Sequence, residues 1–197
     1  MLQLFPSKNL GAYGDGGAIV TNDLRLYERI CRLCNHGVHT DKFDHFLLGR
    51  NSRLDSIQAQ VLKLKLPFLD EWNERRRMFA NLYRTRLCHL DNVALPLDDP
   101  PELQSVYHVF AIRVPTDLRD ALRQYLVNAG IETGIHYPRP IHLLPAFHHL
   151  GYAQGDFPIA EMVTRQLVSL PMHPFLSEAQ IEFVCQKVAD FLREQRS

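Results

Sequence analysis

The chain has 197 residues, of which 46% are hydrophobic and 22% are charged. That composition is typical of globular proteins and excludes a wholly disordered or collagen-like chain. Basic and acidic residues number 22 each, so the formal net charge is zero, which argues against a nucleic-acid-binding surface. No apolar run is long enough to cross a bilayer, and the first residues lack the pattern of a secretory signal. We therefore expect a cytoplasmic protein with reduced cysteines and neither nucleic-acid nor membrane partners.

The first hundred residues predict little sheet and several helices. Four glycines within GAYGDGG, at 11–17, indicate a loop. Capping residues, apolar positions at helical spacing and the helix breaker Pro67 define the elements that follow. In chain order these are a strand at 18–21, a helix over 24–34, a long loop over 35–50, and helices over about 54–66 and 68–87. One strand gives these helices too little sheet to cover, so this part resembles a portion of a larger domain.

The second half has a different character after a stretch rich in Pro and Asp at 91–103. Its predicted elements are a strand at 106–114, a helix over 117–128 closed by Gly130, a ring-rich segment at 134–152, and helices over 160–170 and 177–193. A strand with several helices predicts an α+β unit. We therefore place a domain boundary near residue 100, with one domain over 1–100 and a smaller one over 101–197.

One cluster of residues has the composition of a metal site. Cys31, Cys34, His36 and His39 are residue types that bind zinc. However, the two cysteines lie in a predicted helix and no second paired motif follows, so ordinary helix packing is favoured. We predict no metal.

Lys8 is the candidate catalytic residue, placed between Phe5-Pro6 and the glycine-rich loop. A partly apolar, tightly turned site can disfavour the charged form of an amine and so free the neutral nitrogen for Schiff-base chemistry. The residue types alone favour the alternative, a surface lysine before a turn. The loop does not match a phosphate-binding P-loop, because the lysine precedes the glycines.

Two further sites have candidate binding residues. Asn51 is an amide donor just before a predicted helix, where a phosphate would be attracted, although a plain capping role is favoured on residue type alone. His136, Tyr137 and His142 lie between prolines and suit a sugar, which needs hydrogen bonds for its hydroxyls and apolar cover for its ring. A partly buried structural segment is the alternative and is favoured without further information.

Several runs, in order along nearly the whole chain, resemble the DegT/DnrJ/EryC1/StrS family of pyridoxal-phosphate sugar aminotransferases. They are FPSKNLGAYGDGGAIVTND at 5–23, CNHG at 34–37, NSRLDSIQA at 51–59, NERRR at 73–77, GIHYPRPIHLLPAF at 134–147, GDFPIAE at 155–161 and LPMHP at 170–174. The resemblance implies an α/β fold, the C-terminal portion of an aspartate-aminotransferase-like (fold type I) enzyme with a small α+β C-terminal domain.

The resemblance also implies roles for individual residues. Lys8 would bind pyridoxal 5'-phosphate covalently and then act as base and acid in the proton transfer. Asn51 would reach the cofactor phosphate of the partner subunit in a homodimer. Arg53 would lie near the acidic groups of the substrate, which its planar guanidinium suits. His136, Tyr137 and His142 would lie near the nucleotide-sugar site, often that of the neighbouring subunit.

By the same resemblance, the activity is transfer of an amino group from an amino acid, glutamate by expectation, to a keto group of a nucleotide-linked sugar. The loop and the IHYP run are most similar to members that act on 3-keto sugars, with the 4-keto class left open. The products would serve amino-sugar biosynthesis for polysaccharides or antibiotics. Family members are about twice as long and carry the lysine near mid-chain, so we expect a C-terminal half that is inactive alone. The alternative is a non-catalytic fragment or regulatory homologue that docks on a full-length partner.

Overall fold

The computed structural model describes residues 1–38 and 43–195, which form two compact units, Met1–Asp70 and Glu71–Ser197. Within these described residues, every helix is too short or too polar to cross a membrane. The chain has a mixed α/β fold, as predicted.

The first unit contains two short strands and two helices. They are β1 (Leu2–Gln3), β2 (Gly17–Ala18), α1 (Leu24–Cys34) and α2 (Ser56–Lys65). Asp23 caps α1 by accepting hydrogen bonds from the backbone N–H groups of Arg25 and Leu26, and Asp55 caps α2 by accepting one from Gln58 N. The predicted strand at 18–21 is shifted and shorter, because only Gly17 and Ala18 pair with β1.

Little apolar surface is buried within this first unit. α1 buries none of its residues, and Leu24 and Tyr27 are 69% and 56% exposed. Among the residues of this unit that the structure describes, the buried apolar side chains are Ala12, Val38 and Leu62. Since an amphipathic helix is stabilised mainly by packing its apolar face, much of this surface is open to a further contact.

The second unit contains nearly all of the longest helix, two paired strands and three more helices. They are α3 (Leu69–Leu87), preceded by a 3₁₀ turn at Leu66–Phe68, then β3 (Phe110–Arg113), α4 (Arg119–Asn128), α5 (Pro158–Gln166), β4 (Leu167–Leu170) and α6 (Glu178–Glu194). β3 and β4 pair antiparallel, with Phe110 opposite Leu170 and Ile112 opposite Val168.

The core of the second unit joins α3 to the sheet and to α4 and α6. Tyr83 and Phe110 are fully buried and stack with ring centroids 4.9 Å apart, and the Tyr83 hydroxyl donates to the Pro171 carbonyl at 2.9 Å. The other large buried side chains come from each of the packed elements and include Phe79, Leu87, Leu122, Leu126, Val168, Ile181 and Val188. This core therefore connects the elements of the second unit.

Five of the six predicted helices are confirmed to within two residues at each end, and the sixth is wrong at its C-terminal end. α4 ends before Gly130, whose φ is +77°, and α6 begins with a capping box between Ser177 and Gln180. The helix predicted over 160–170 stops at Gln166, because residues Leu167–Leu170 pair with β3. A four-residue run can satisfy either periodicity, and the strand partner decides it.

The boundary between the two compact units falls within α3, between Asp70 and Glu71, and so precedes the boundary predicted near residue 100. The reason is that Phe79, Tyr83 and Leu87 pack in the core of the second unit. Assignment of 1–100 and 101–197 to a larger and a smaller domain stays a prediction.

Candidate active site

Lys8 lies at the end of a tight turn. Its backbone N–H donates to the Phe5 carbonyl at 2.9 Å, and the residue is half-buried. Pro6 occupies the turn, where its fixed φ restricts the backbone. The turn thus fixes the backbone of Lys8 within the first unit, and the role of its amine stays a prediction.

The glycine-rich loop folds back onto this turn. Leu4 closes it, because its N–H donates to the Gly16 carbonyl at 2.9 Å and its carbonyl accepts from Ala12 N at 2.8 Å. A Cβ on Gly11 would lie 2.3 Å from the Pro6 carbonyl oxygen, so only glycine fits there. The predicted loop is confirmed, and its close approach explains the glycine at this position.

Asn51 and Arg53 form a pair of exposed donors in the same unit. Arg53 Nε donates to Asn51 Oδ1 at 3.3 Å, which leaves the Asn51 amide nitrogen and the outer guanidinium nitrogens as donors. The backbone beside them is held by Ser52 N, which donates to the Cys34 carbonyl at 2.9 Å. The structure therefore brings together two residues that sequence reasoning assigned to anionic groups, and their chemistry suits a phosphate or a carboxylate.

His136, Tyr137 and His142 all line one cavity in the second unit, with a volume of about 520 Å³. Apolar and aromatic side chains form much of its wall, among them Phe147, Leu150, Tyr152 and Phe157. The mixture of apolar wall and few polar groups is typical of a small-molecule site. The structure thus brings the three predicted sugar-binding residues together.

The three residues have different freedom to contact a ligand. His136 Nδ1 lies 2.8 Å from the Ser169 hydroxyl, and a Cβ on Gly134 would lie 2.8 Å from His136 Cε1, so this ring is held against β4. Tyr137 is 67% exposed and its ring meets that of His136 edge-on, with centroids 5.4 Å apart. Tyr137 is therefore the member whose hydroxyl is most accessible.

His142 is buried and paired with Glu161, a residue that sequence reasoning missed. His142 Nε2 lies 3.1 Å from Glu161 Oε1, and both side chains are less than a tenth exposed. Glu161 Oε1 also accepts a hydrogen bond from Gly155 N at 2.7 Å. This hydrogen bond, together with the one from the His142 side chain, holds the pKa of the Glu161 carboxyl below its usual value. The carboxylate makes His142 Nε2 a donor, so the pair fixes this wall of the cavity.

The metal hypothesis receives no support from these positions. Cys31 is exposed and Cys34 half-buried on α1, while His39 lies outside the described residues. Within the described ranges, no group of three or more His, Cys, Asp or Glu side chains is arranged to hold a metal ion.

The charged run Arg75, Arg76 and Arg77 has the composition of a solvated helix face, but Arg76 is buried. Arg77 does pair with Glu74 at 3.0 Å on the surface. Arg76 is only 6% exposed, and its Nη1 donates to the carbonyls of Tyr107 and Met172 at 3.1 and 3.0 Å. Three consecutive arginines point to different sides of a helix, so one of them faces the core.

The groups of the first unit fit pyridoxal 5'-phosphate. The primary amine of Lys8 can react with an aldehyde. Lys8 lies at the end of a turn, and the glycine-rich loop can pack against this turn because Gly11 has no Cβ. Asn51 and Arg53 have donors for a phosphate. These residue types are therefore compatible with a cofactor that carries an aldehyde and a phosphate.

The comparison with known proteins identifies the family. The model of the DegT/DnrJ/EryC1/StrS aminotransferase family matches residues 2–189, and the chain belongs to this family. It is 46% identical over 192 residues to a "Pleiotropic regulatory protein" of Geobacillus stearothermophilus, covering 96% of this chain and 50% of that protein. It is 43% identical over 190 residues to the dTDP-3-amino-3,4,6-trideoxy-alpha-D-glucose transaminase of Streptomyces venezuelae, covering 96% of this chain and 48% of that one.

Solved structures agree with this assignment and with the predicted fold. DesV from S. venezuelae, in complex with a ketimine intermediate, superposes with a TM-score of 0.89 at 42% identity, covering 96% of this chain and 50% of that one. NtdA from Bacillus subtilis, with bound cofactor PMP, gives a TM-score of 0.85 at 26% identity, covering 98% and 45%. The chain spans about half the length of the curated relatives it matches.

Proposed function

We propose that this chain carries the lysine-bearing part of a pyridoxal-phosphate aminotransferase that acts on a nucleotide-linked keto sugar. The observation that carries the proposal is Lys8 on its glycine-bounded turn, inside the segment that the family model matches. Bound to this lysine, pyridoxal phosphate supplies a sink for the electron pair left when a proton leaves the carbon that bears the amino group.

The residues of the first unit divide the work between binding and proton transfer. Lys8 Nζ would hold the cofactor and, once displaced by the incoming amine, would accept the proton from the substrate carbon and donate it to the aldehyde-derived carbon of the cofactor. Asn51 donates from its amide nitrogen to a phosphate oxygen of the cofactor held by the partner subunit, and Arg53 binds an acidic group of the substrate through two parallel hydrogen bonds. The contact between their side chains keeps the Asn51 carbonyl oxygen away from the anion.

The cavity of the second unit is proposed to take the sugar. Its apolar wall covers a ring face, and the exposed Tyr137 hydroxyl and the rim histidine His136 hydrogen-bond to hydroxyls. His142 was expected to bind the sugar directly, and its burial beside Glu161 supports a role as a wall residue with only its ring face and Nδ1 available.

The proposed substrate is a 3-keto sugar, and glutamate is the proposed amino donor. The 3-keto position is supported by the names of relatives, which include a UDP-N-acetyl-3-dehydro-alpha-D-glucosamine 3-aminotransferase of Acidithiobacillus ferrooxidans. That protein is 42% identical over 177 residues, covering 90% of this chain and 46% of its own length. We further propose that the active form is a cytoplasmic homodimer in which Asn51 serves the cofactor of the partner subunit. The 197 residues alone are proposed not to catalyse transfer at a useful rate.

The test uses the purified chain with pyridoxal phosphate, glutamate and a dTDP-linked 3-keto sugar. We expect a visible absorbance from covalently bound cofactor that Lys8→Ala abolishes, and no amino-sugar product from the chain alone. Absorbance unchanged by Lys8→Ala would refute the role of the lysine. Product formed by the chain alone would refute the proposal that it is inactive by itself. Lys187→Ala, far along the sequence on α6, is the matched control.

A second candidate function is non-catalytic docking on a full-length homologue. It is favoured by the open apolar face of α1, which buries none of its residues, and by the name of the relative from G. stearothermophilus. We expect the chain to co-purify with a full-length sugar aminotransferase of the same cell, and Leu24→Asp on α1 to weaken that association. Failure of the two to associate, with Leu24→Asp behaving like the parent, would refute this candidate.

A further inference from the structure

Two polar side chains of α2 reach the loop that carries the candidate lysine. Gln58 and Lys65 are seven residues apart in the helix, about two turns, so they lie on the same face. Leu62 lies between them on that face and is the one residue of α2 that is buried. Both polar side chains are half-buried, whereas Gln60 and Lys63 on other faces are exposed.

Each of the two side chains satisfies a backbone group of the glycine-rich loop. Gln58 Oε1 accepts from Tyr13 N at 2.7 Å, and Lys65 Nζ donates to the Gly11 carbonyl at 2.7 Å. The Lys65 ammonium also lies 4.5 Å from the centroid of the Tyr13 ring, a cation–π distance. A loop has few backbone partners of its own, so two hydrogen bonds from a helix restrict it strongly.

The restriction passes from the loop to Lys8 through Gly11. A Cβ on Gly11 would lie 2.3 Å from the Pro6 carbonyl oxygen, so the backbone of Gly11 rests directly on the turn that ends at Lys8. The carbonyl oxygen of Gly11 also accepts the hydrogen bond from the Lys65 ammonium. A shift of the loop away from α2 therefore removes the support behind the turn.

We propose that Gln58 and Lys65 are positioning residues, which hold the glycine-rich loop so that Lys8 is presented to the aldehyde of pyridoxal phosphate. The inference rests on the proposed function for the role of Lys8, whereas the hold of α2 on the loop stands without it. Displacement of a reacting group by about 1 Å can cost a large factor in rate, so the loop controls the reactivity of the lysine.

The experiment compares Gln58→Leu and Lys65→Met with the matched controls Gln60→Leu and Lys63→Met. Hydrogen exchange of the peptide that contains Tyr13, measured without cofactor, should become about tenfold faster in the two test variants, since each loses one loop hydrogen bond. Gln58→Glu keeps an acceptor and should restore protection. The controls should match the parent.

The second arm measures how fast pyridoxal phosphate attaches to Lys8, followed by absorbance. In each variant, the signal that remains after Lys8→Ala is added to that variant is subtracted, so that only attachment to Lys8 is counted. We expect the rate to fall by at least about fivefold in the test variants and to stay unchanged in the controls. Faster exchange with an unchanged attachment rate would overturn the positioning role.

The two arms separate this inference from the proposed function. If the parent chain gives no attachment that depends on Lys8, the proposed function fails, and the exchange arm alone decides whether α2 holds the loop. Exchange at Tyr13 that is the same in Gln58→Leu, Lys65→Met and both controls would overturn the inference, whatever the cofactor does.

Discussion

Substitution of Arg76 by Met tests the packing of the second unit. Arg76 lies on α3, is almost completely buried, and donates from Nη1 to the carbonyls of Tyr107 and Met172. It therefore links the helix both to the segment before β3 and to the one after β4. Methionine keeps the apolar stem of the side chain and removes only the charge and the donors.

The expected loss follows from the two hydrogen bonds. A hydrogen bond from a charged group contributes about 1.5 kcal/mol at the low end, so the two together contribute about 3 kcal/mol. Burial lowers the pKa of Arg76, so removal of its charge recovers part of a desolvation cost. The two carbonyls left without donors add to the loss. We expect the free energy of unfolding to fall by about 2–4 kcal/mol.

The assay is urea unfolding of the chain, followed by the fluorescence of Trp72, its single tryptophan. Trp72 reports on the second unit because its ring lies 5.8 Å from that of Phe175. The matched control is Arg77→Met, which breaks only a surface pair with Glu74 and should cost at most about 1 kcal/mol. If Arg76→Met proves at least as stable as Arg77→Met, the two hydrogen bonds of Arg76 do not stabilise the second unit as argued.

A second readout of the same variant does not depend on the unfolding transition. Burial, and after it the charge of Arg76, lowers the pKa of His173. Removing the guanidinium should therefore raise the His173 pKa, as followed by the imidazole resonances in an NMR titration. An unchanged His173 pKa would contradict the placement of Arg76 beside the LPMHP segment.

Three other predictions concern the candidate site and the thiols. Gly11→Ala should lower the free energy of unfolding by about 1–3 kcal/mol and slow cofactor attachment, because the added Cβ would meet backbone atoms. Gly14→Ala should lower it less, because there the Cβ would meet only the end of the flexible Gln58 side chain. Urea unfolding of the two variants compares these losses. Since the pKa of Glu161 is lowered in the folded state, its contribution to stability is present above the unfolded pKa and lost as pH falls through the folded one. Glu161→Gln should therefore flatten the acid side of a stability–pH curve, and an unaltered slope would contradict the buried pair. Burial raises the pKa of the Cys185 thiol to about 12, so a thiol reagent at neutral pH should label exposed Cys31 and reach Cys185 only on unfolding, as resolved by peptide mass spectrometry.

The helices of this chain were predictable because their signals are local. Asp23, Pro67, Gly130 and Ser177 each mark an end by the residue's own backbone or capping chemistry. The strands were less predictable, since β4 exists only because β3 lies beside it. The preference of Leu167–Leu170 for a strand therefore depends on pairing rather than on its own sequence.

At the candidate site, the sequence indicates which residues could react or bind, but not which side chains contact them or their loop. Lys8, Asn51 and Tyr137 stand out by chemistry or by motif. Glu161 is nineteen residues from His142, and its partner is set by how α5 packs. Gln58 and Lys65 share a helix face, a signal that the sequence contains, but the loop that this face contacts is visible only in the structure.

The central claim is that Lys8 bonds covalently to pyridoxal phosphate. The most direct measurement loads the chain with the cofactor, reduces it with borohydride, digests it and locates the pyridoxyl label by mass spectrometry. We predict the label on the peptide that contains Lys8, well above that on any other lysine and absent from Lys8→Ala. A label found mainly on Lys65 or Lys187, or spread equally over the lysines, would contradict the account.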